Sequence, residues 1–323
     1  AELLLVSGYS GVGKSVLVQE IHRPVAQYRG YFAAGKFEQL KGNLPYFGFR
    51  QAILDILEQL LAENQQRLNA VKTCLTTALA EPIRATSGLG TAEAIATRTP
   101  TGTSEETSER TSDVPVLPRG SRPRVNAAHD VKESHQNTPA IAATVATLDY
   151  QTLALHLLPE LADVLETPQI SERPELPWPG EIPARIQHEL FCRIFEAIAG
   201  PGHPLVLFLD DLQWADTASI KLLADLLLRS GNQPGKPLLL VGAYRDNEVN
   251  ANHPLLLTLE ELQREGIRPE QLKLKGLNFS CVQSLIADSL ALPESEVHPL
   301  ADLMWRKPDG NPFFLTQLLL SLA

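Results

Sequence analysis

The sequence predicts an α/β fold in which helices flank a parallel β-sheet. Three observations support this prediction. Five short β-like runs alternate with helical segments along the chain. A glycine-rich loop separates the first run from the first helix. A later run, Leu205–Leu209, is apolar throughout, as is typical of a strand buried on both faces. The five predicted strands are Leu3–Ser7, Gly30–Lys36, Leu205–Leu209, Pro237–Tyr244 and Gln271–Leu274.

The first strand leads directly into Gly8–Ser15, a complete G-x-x-x-x-G-K-[ST] phosphate-binding loop. Its three glycines allow the backbone to turn tightly, so that successive N–H groups point at phosphates. We expect Lys14 to reach the β- and γ-phosphates and the Ser15 hydroxyl to bind Mg²⁺. The run Val16–Arg23 predicts the helix whose N-terminus receives the anion. The residues predicted to contact the nucleotide are Gly8, Ser10, Gly11, Val12, Gly13, Lys14, Ser15 and Val16.

The alternative for this loop is a glycine-rich turn that binds nothing. Against it, strand, loop and helix follow one another in the order that a phosphate site of the P-loop NTPase type requires.

After the second strand, Phe49–Leu61 has apolar residues at helical spacing. The composition then changes: residues 84–147 are dominated by Thr, Ser, Ala, Pro and charged residues without periodicity. Such a stretch buries too little apolar area to offset its ordering entropy, so we expect a disordered insertion. The alternative is a phosphorylated or partner-binding segment, because many of its Ser and Thr side chains could accept phosphate.

Helical patterning resumes with the Leu-rich segment Leu153–Leu165, which precedes a Pro-rich turn at Pro174–Pro183. The next run, Ile182–Ile198, is amphipathic and should pack against the sheet. Arg185 and Gln187 lie near its start. They could face the nucleotide or belong to a solvated helix face.

The buried run Leu205–Leu209 ends in two carboxylates, Asp210 and Asp211, which is the Walker B arrangement. A carboxylate at this end of a parallel strand lies beside the phosphate loop, where Asp210 can hold Mg²⁺ directly or through water. Asp211 points to the other side of the strand and could orient or deprotonate the attacking water. The alternative is that Asp211 caps the next helix, Thr217–Arg229.

Arg245 directly follows the run Pro237–Tyr244. A cation at this strand end could reach the γ-phosphate as an intrinsic arginine finger. Alternatively, it forms a surface ion pair with Asp246 or Glu248. Three helical segments follow the fifth strand and predict a small helical lid. They are Ser280–Ala291, Glu294–Arg306 and Pro312–Leu322.

Composition limits the remaining possibilities. The 323 residues carry a net charge of −10, which argues against general nucleic-acid binding through a basic surface. No apolar run approaches the roughly 18 residues of a membrane span, and no leader-like segment precedes the first strand, so we expect a cytoplasmic protein.

Three widely spaced cysteines indicate neither a disulfide framework nor a metal site, and we expect each to be a small buried residue. The sequence has no initiator Met, and its last helical segment continues to Ala323, so we expect a segment of a larger polypeptide.

Five motifs together resemble the AAA-like ATPase module of the signal-transduction ATPases with numerous domains (STAND). They are GYSGVGKS at 8–15, LDDLQWAD at 209–216, GAYRDNEV at 242–249, NHPL at 252–255 and KPDGNPFF at 307–314. More narrowly, the sequence is similar to modules between Ser/Thr kinase and sensor histidine kinase domains in large bacterial, notably cyanobacterial, signalling proteins. Related modules precede LuxR-type DNA-binding domains and adenylate cyclase domains. The resemblance covers nearly the whole chain except the insertion, which lies outside the family pattern.

The resemblance implies the strand order 5-1-4-3-2 and makes Arg245 a sensor of the γ-phosphate. It also implies that Gly310–Pro312 contacts the adenine or ribose, with Pro312 beginning the lid helix, a position that suits its fixed φ. An ordinary helix start at Pro312 is the alternative. The implied domains are a nucleotide-binding domain at 1–248 and a last strand with lid subdomain at 249–323.

The expected function is that of a signalling module that binds Mg·ATP and hydrolyses it slowly, with Lys14, Asp211 and Arg245 as catalytic residues. Lid closure would relay the nucleotide state to flanking signalling domains, including kinases, and nucleotide-dependent self-association is possible. No N-K-x-D motif for reading guanine is present, which favours ATP over GTP.

Three other functions fit the sequence less well. The main alternative is a nucleotide-binding scaffold that does not hydrolyse ATP. A phosphotransferase acting on a small molecule has less support, because no acceptor motif is visible. An ABC-type transporter ATPase is disfavoured, because no L-S-G-G-Q-like signature is present.

Overall fold

The computed structural model describes residues 1–39, 45–83, 149–167, 182–200, 202–231, 235–306 and 310–322. The predicted disordered insertion at 84–147 lies outside the described residues, as does most of the predicted Pro-rich turn.

Among the described residues, five strands form one parallel sheet. They are β1 (Glu2–Ser7), β2 (Tyr31–Lys36), β3 (Leu205–Asp210), β4 (Leu238–Tyr244) and β5 (Glu270–Lys273). Their spatial order is β2-β3-β4-β1-β5, which confirms both the α/β fold and the predicted order 5-1-4-3-2. In register, Ser7 is opposite Tyr244 and Lys36 is opposite Asp210, so the carboxyl ends of these strands meet at one edge. β5, which the sequence analysis grouped with the lid, pairs with β1.

The helices that precede β4 are α1 (Lys14–Gln19), α2 (His22–Gln27), α3 (Phe47–Leu61), α4 (Gln65–Leu79), α5 (Tyr150–Leu157), α6 (Leu161–Leu165), α7 (Ala184–Ile198) and α8 (Thr217–Gly231). Those that follow β4 are α9 (Pro254–Arg264), α10 (Phe279–Leu290), α11 (Glu294–Arg306) and α12 (Pro312–Leu322). The absence of further strands after β5 was predicted and holds for the described residues. None of the helices in the described ranges is long and apolar enough to cross a membrane.

Two predicted helices are each divided into two. The segment predicted at Val16–Arg23 breaks after α1 and resumes as α2, because Pro24 has no N–H to donate to the carbonyl of Glu20 and its ring would collide with that carbonyl in a continuous helix. The segment predicted at Leu153–Leu165 divides in the same way before Pro159. Leu158, the residue that precedes this proline, has left the helical conformation, with φ of −134° and ψ of 75°.

Helices α4 and α9 were not predicted from the sequence. In α4 the buried residues Val71, Leu75 and Leu79 recur every four positions, which is a helical signal. Helix α9 begins with Pro254 at its first turn, and the preceding His253 accepts a hydrogen bond from the N–H of Leu255. A proline in the first turn after a capping residue is a start signal that could have been used.

Apolar side chains of alternate strand residues cover both faces of the sheet. On one face they pack with the long helices α3, α7 and α8, and on the other face with Val18 of α1 and Val25 of α2. As predicted, α7 presents an apolar face to the first of these layers, with Leu190, Ile194 and Phe195 almost fully buried. The three C-terminal helices share a separate small core, so they form a distinct packing unit beside the sheet.

The prediction for the cysteines is wrong at two of three positions. Cys192 is buried in α7, but Cys74 and Cys281 are exposed. Cys74 lies on the solvent side of α4 beside the buried Leu75, and Cys281 lies in the first turn of α10. All three thiols are free, and no cluster of three or more potential metal ligands of the His, Cys, Asp and Glu types occurs in the described part of the chain.

Candidate nucleotide site

The glycine-rich loop connects the end of β1 with the start of α1 and lies against the C-terminal helical unit. Gly11 has a positive φ of 78°, and a Cβ at this position would lie 2.9 Å from the Cβ of Phe313. Glycine is therefore required here both by the backbone conformation and by the close approach of α12.

Lys14 is the first residue of α1, and only 7% of it is exposed. Its Nζ donates hydrogen bonds to the carbonyl oxygens of Gly8 at 2.8 Å and Tyr9 at 2.9 Å. Burial lowers the pKa of Lys14, and the nearby carboxylate of Asp210 opposes that shift. The ammonium group therefore lies across the loop, held by the carbonyl oxygens of the loop itself.

Ser15 and Asp210 bring the loop and β3 together. The Ser15 hydroxyl donates a hydrogen bond of 2.8 Å to Oδ2 of Asp210, and Oδ1 of Asp210 accepts the N–H of Asp211 at 2.9 Å. A hydroxyl and a carboxylate oxygen are the ligand types that Mg²⁺ prefers. This pair therefore fits the magnesium ion that the phosphate loop implies.

Asp211 is buried and has a left-handed backbone with φ of 55°. Its Oδ1 accepts a hydrogen bond of 2.8 Å from Nε2 of Gln213 and lies 3.5 Å from Nε of Arg245. Its Oδ2 lies 3.2 Å from Nζ of Lys36. The side chain of Asp211 makes no capping hydrogen bond. The cap of α8 is Asp216, which accepts the N–H of Ser219 at 2.9 Å.

Arg245 follows β4, and of its two predicted roles the structure shows the ion pair with Glu248. It faces Asp211, and its Nη1 also forms an ion pair of 2.7 Å with Glu248. Its guanidinium lies 4.7 Å from the centre of the Trp214 ring, within cation–π range. The other predicted partner, Asp246, pairs instead with Lys273 at 2.8 Å.

Two residues of this network were missed by the sequence analysis. Gln213 is buried and bridges two strand ends, because its Nε2 donates to Asp211 while its Oε1 accepts the N–H of Arg245 at 3.0 Å. Lys36 ends β2 and was assigned only to a strand. Its position opposite Asp210 depends on the pairing of β2 with β3, which apolar patterning alone does not reveal.

The start of α12 and the residue before it, Asn311, form hydrogen bonds with the loop. Nδ2 of Asn311 donates to the Ser10 carbonyl at 2.8 Å, and the N–H of Phe313 donates to the Gly11 carbonyl at 3.2 Å. Pro312 is the first residue of the helix, as predicted. Peptide carbonyls of the loop thus turn toward α12.

These groups surround one cavity of about 740 Å³, a volume within the range of small-molecule sites. Its lining residues are Ser10, Gly11, Gly13, Lys14, Ser15, Val16, Leu17, Glu20, Lys36, Asp210, Asp211, Arg245, Pro312, Phe313, Thr316 and Gln317.

Six residues that the sequence analysis considered as nucleotide contacts do not line the cavity: Gly8, Val12, Arg185, Gln187, Gly310 and Asn311. Gly8 and Val12 belong to the loop, and the Val12 side chain is buried. Gln187 is also not on a solvated face: it is buried and donates to the Ile182 carbonyl at 2.9 Å.

Comparison with known protein families gives a match to the family described as the AAA ATPase domain, over residues 1–241. Comparisons with curated proteins and with solved structures give no match. The matched range includes the phosphate loop and both carboxylates of β3 and ends before Arg245 and the C-terminal helices.

Proposed function

The chain belongs to the AAA ATPase domain family, and from this premise we propose that it is a STAND-type signalling module that binds Mg·ATP and hydrolyses it slowly. The observation that carries the proposal is the hydrogen bond of 2.8 Å between Ser15 and Asp210. It joins the phosphate loop to the Walker B strand at the cavity that Lys14 and Asp211 also line.

In this proposal the loop N–H groups and Lys14 bind the β- and γ-phosphates. Lys14 would exchange the Gly8 and Tyr9 carbonyls for phosphate oxygens, which compensate its buried charge better. Ser15 and Asp210 would hold Mg²⁺, and the bound ion would supply positive charge to the β- and γ-phosphate oxygens.

Hydrolysis needs a group that receives the proton of the attacking water, and Asp211 is suited to that role. Water would attack the γ-phosphorus, the bond to the β,γ-bridging oxygen would break, and the proton would pass to the carboxylate. Gln213 would orient Asp211, and Arg245 would stabilise charge on the transferred group. Lys36 and Arg245 both pair with Asp211, and the attacking water must reach the carboxylate in competition with them, so we expect turnover to be slow.

The ion pairs of Asp211 support a second candidate, a scaffold that binds ATP without hydrolysing it. Lys36 and Arg245 both pair with Asp211, and if they stay there when ATP is bound, the carboxylate remains unavailable to water. In this case bound ATP would only stabilise the contact between the loop and α12.

The signalling part of the proposal is supported by the contacts of α12. Asn311 and Phe313 bind the carbonyls of Ser10 and Gly11, so a change in the loop on phosphate binding would reach the three C-terminal helices. We propose that these helices act as the lid, that Pro312 contacts the adenine or ribose, and that flanking signalling domains of the same polypeptide, such as kinases, receive the signal. Self-association on ATP binding belongs to the same proposal.

A single-turnover assay tests the function. The purified chain is incubated in excess over labelled Mg·ATP, and the bound nucleotide is identified over time. We expect bound ADP to accumulate in the wild type, neither nucleotide to bind to Lys14→Ala, and intact ATP to stay bound to Asp211→Asn. Intact ATP on the wild type would favour the scaffold, and absence of binding would refute both candidates.

A further inference from the structure

Lys36 lines the cavity with an exposed side chain, and hydrogen bonds hold the backbone at this position. Its N–H donates to Oε1 of Gln51 at 2.8 Å, and the N–H of the next residue, Phe37, donates to the carbonyl of Asp210 at 3.1 Å. The side chain is 57% exposed. The ammonium group can therefore change partners without movement of the strand.

The present partner of Lys36 is Asp211, whose side chain is only 7% exposed. A buried carboxylate is costly unless it is paired, and Oδ1 of Asp211 already contacts Gln213 and Arg245. Lys36 contacts the other oxygen, Oδ2, at 3.2 Å. It therefore occupies the one carboxylate oxygen of Asp211 that Gln213 and Arg245 leave open.

The charge balance of the cavity changes when a triphosphate enters. In this structure, two of the three lining cations, Lys36 and Arg245, pair with Asp211, while Lys14 contacts loop carbonyls. A γ-phosphate held by Lys14 would bring the largest additional negative charge to this end of the cavity. A flexible, exposed ammonium group is the cation that can turn toward it with the least rearrangement.

We propose, building on the proposed function, that Lys36 is a second cation that reads the γ-phosphate: it exchanges Oδ2 of Asp211 for the γ-phosphate when ATP binds. The exchange leaves Oδ2 open to accept the proton of the attacking water. With ADP bound there is no γ-phosphate, and Lys36 stays on Asp211. Lys36 thus couples recognition of ATP to release of the base, whereas the sequence analysis assigned the sensing of the γ-phosphate to Arg245 and gave Lys36 no role.

The first test compares the Kd values for Mg·ATP and Mg·ADP. We expect Lys36→Met to weaken binding of Mg·ATP by about ten- to hundredfold, the range of one charge-assisted hydrogen bond, and to leave binding of Mg·ADP unchanged. Lys36→Arg should retain most of the preference for ATP. The matched control is Lys273→Met, because Lys273 also ends a strand, is 62% exposed and pairs with an aspartate, Asp246, but does not line the cavity.

A second test separates contact with phosphate from simple neutralisation of Asp211. In the Asp211→Asn background the carboxylate charge is gone, so a lysine that only neutralises it no longer matters. We expect Lys36→Met to weaken binding of Mg·ATP in this background as well, and no change there would overturn the proposal.

The two tests also distinguish failure of this proposal from failure of the proposed function. A wild type that binds neither nucleotide refutes the proposed function, and the role of Lys36 with it. A wild type that prefers ATP, with the same preference in Lys36→Met, refutes only the role of Lys36. Thermal unfolding without nucleotide verifies that each variant is folded, and Lys36→Gln replaces Lys36→Met if the latter does not fold.

Discussion

The Ser15 hydroxyl lies 2.8 Å from Oδ2 of Asp210, although 195 residues separate the two in the chain. If the pair holds Mg²⁺, each partner contributes to the part of ATP affinity that depends on magnesium. We predict that Ser15→Ala and Asp210→Asn reduce the ratio of the Kd without Mg²⁺ to the Kd with Mg²⁺ by at least about tenfold, the effect expected from losing one charged contact.

Equilibrium binding of labelled ATP with and without EDTA measures this ratio. Asp246→Asn is the control, because Asp246 follows the neighbouring strand β4 but pairs with Lys273 outside the cavity lining. A ratio as large as that of the wild type in both cavity variants would contradict the assignment of Ser15 and Asp210 to magnesium.

Asn311 is the side chain that joins α12 to the phosphate loop, through its hydrogen bond to the Ser10 carbonyl. We predict that Asn311→Ala weakens ATP binding by several-fold, because an uncharged hydrogen bond contributes about 1 kcal/mol. It should also increase amide hydrogen exchange in α12, since the helix loses an anchor on the loop.

The control for Asn311 is Asn250→Ala. The Asn250 side chain also makes a hydrogen bond, because its Oδ1 accepts the N–H of Asn252 at 3.0 Å in a local turn, but Asn250 does not line the cavity. Unchanged exchange in α12 of the Asn311 variant would show that this hydrogen bond does not hold the helix.

Gly35 in β2 lies against Gly48 in α3 so closely that a Cβ on Gly35 would be 1.9 Å from the Gly48 carbonyl oxygen. Backbone atoms cannot move aside as a flexible side chain can. We therefore predict that Gly35→Ala lowers the free energy of unfolding by at least about 1–3 kcal/mol, as overpacking does elsewhere.

Urea unfolding of Gly35→Ala and Gly202→Ala gives the comparison. At Gly202 an added Cβ meets no atom within 4 Å. Its replacement should leave stability nearly unchanged. Equal stability of the two variants would mean that β2 and α3 are not packed as closely as described.

The chain segments on either side of residues 84–148 are in contact. Pro82 and Asp149 form an antiparallel bridge, and the guanidinium of Arg193 donates to the Ala78 carbonyl and stacks 4.5 Å from the Tyr150 ring. We predict that replacing residues 84–148 by a short Gly-Ser linker leaves the melting temperature and ATP affinity close to those of the wild type, because closing a shorter loop costs less entropy.

A second variant with the same 84–148 composition in scrambled order separates the role of length from that of sequence. A large loss of stability in the linker variant would contradict the prediction. It would show that these residues contribute contacts to the fold.

Glu189 has its pKa lowered in the folded protein. Burial alone would raise it, but hydrogen bonds and charge from Arg229, at 2.6 Å, and Arg193, at 3.0 Å, outweigh burial. Because the folded pKa is below the ordinary value of 4.5, the ionised carboxylate stabilises the fold above that pH, and this contribution is lost as the pH falls through the folded pKa.

We predict that Glu189→Gln is less stable than the wild type at pH 7 and that the difference shrinks below about pH 4. Chemical unfolding at several pH values measures the difference. Glu260→Gln, which removes an exposed pair with Arg264, should show almost no difference at any pH. A difference for Glu189 that does not vary with pH would contradict the shift.

Local patterns predicted much of the fold. All five strands occur within one or two residues of their predicted positions, because each is a short apolar or β-like run next to a turn. The divided helices show the limit of the same reasoning, since apolar spacing continues through Pro24 and Pro159 while the backbone hydrogen bonds do not. The exposure of Cys74 and Cys281 depended on which side of a helix faces the core, which residue type alone does not determine.

The sequence by itself determined the phosphate loop at residues 8–15 and the carboxylates that end β3, because both depend on neighbouring residues and one strand. Only the tertiary structure decided that Lys36, Gln213 and Arg245 converge on Asp211. The physical reason is that these contacts depend on strand register, on the side chains that compensate a buried charge and on helix packing, and all three arise only when distant parts of the chain meet.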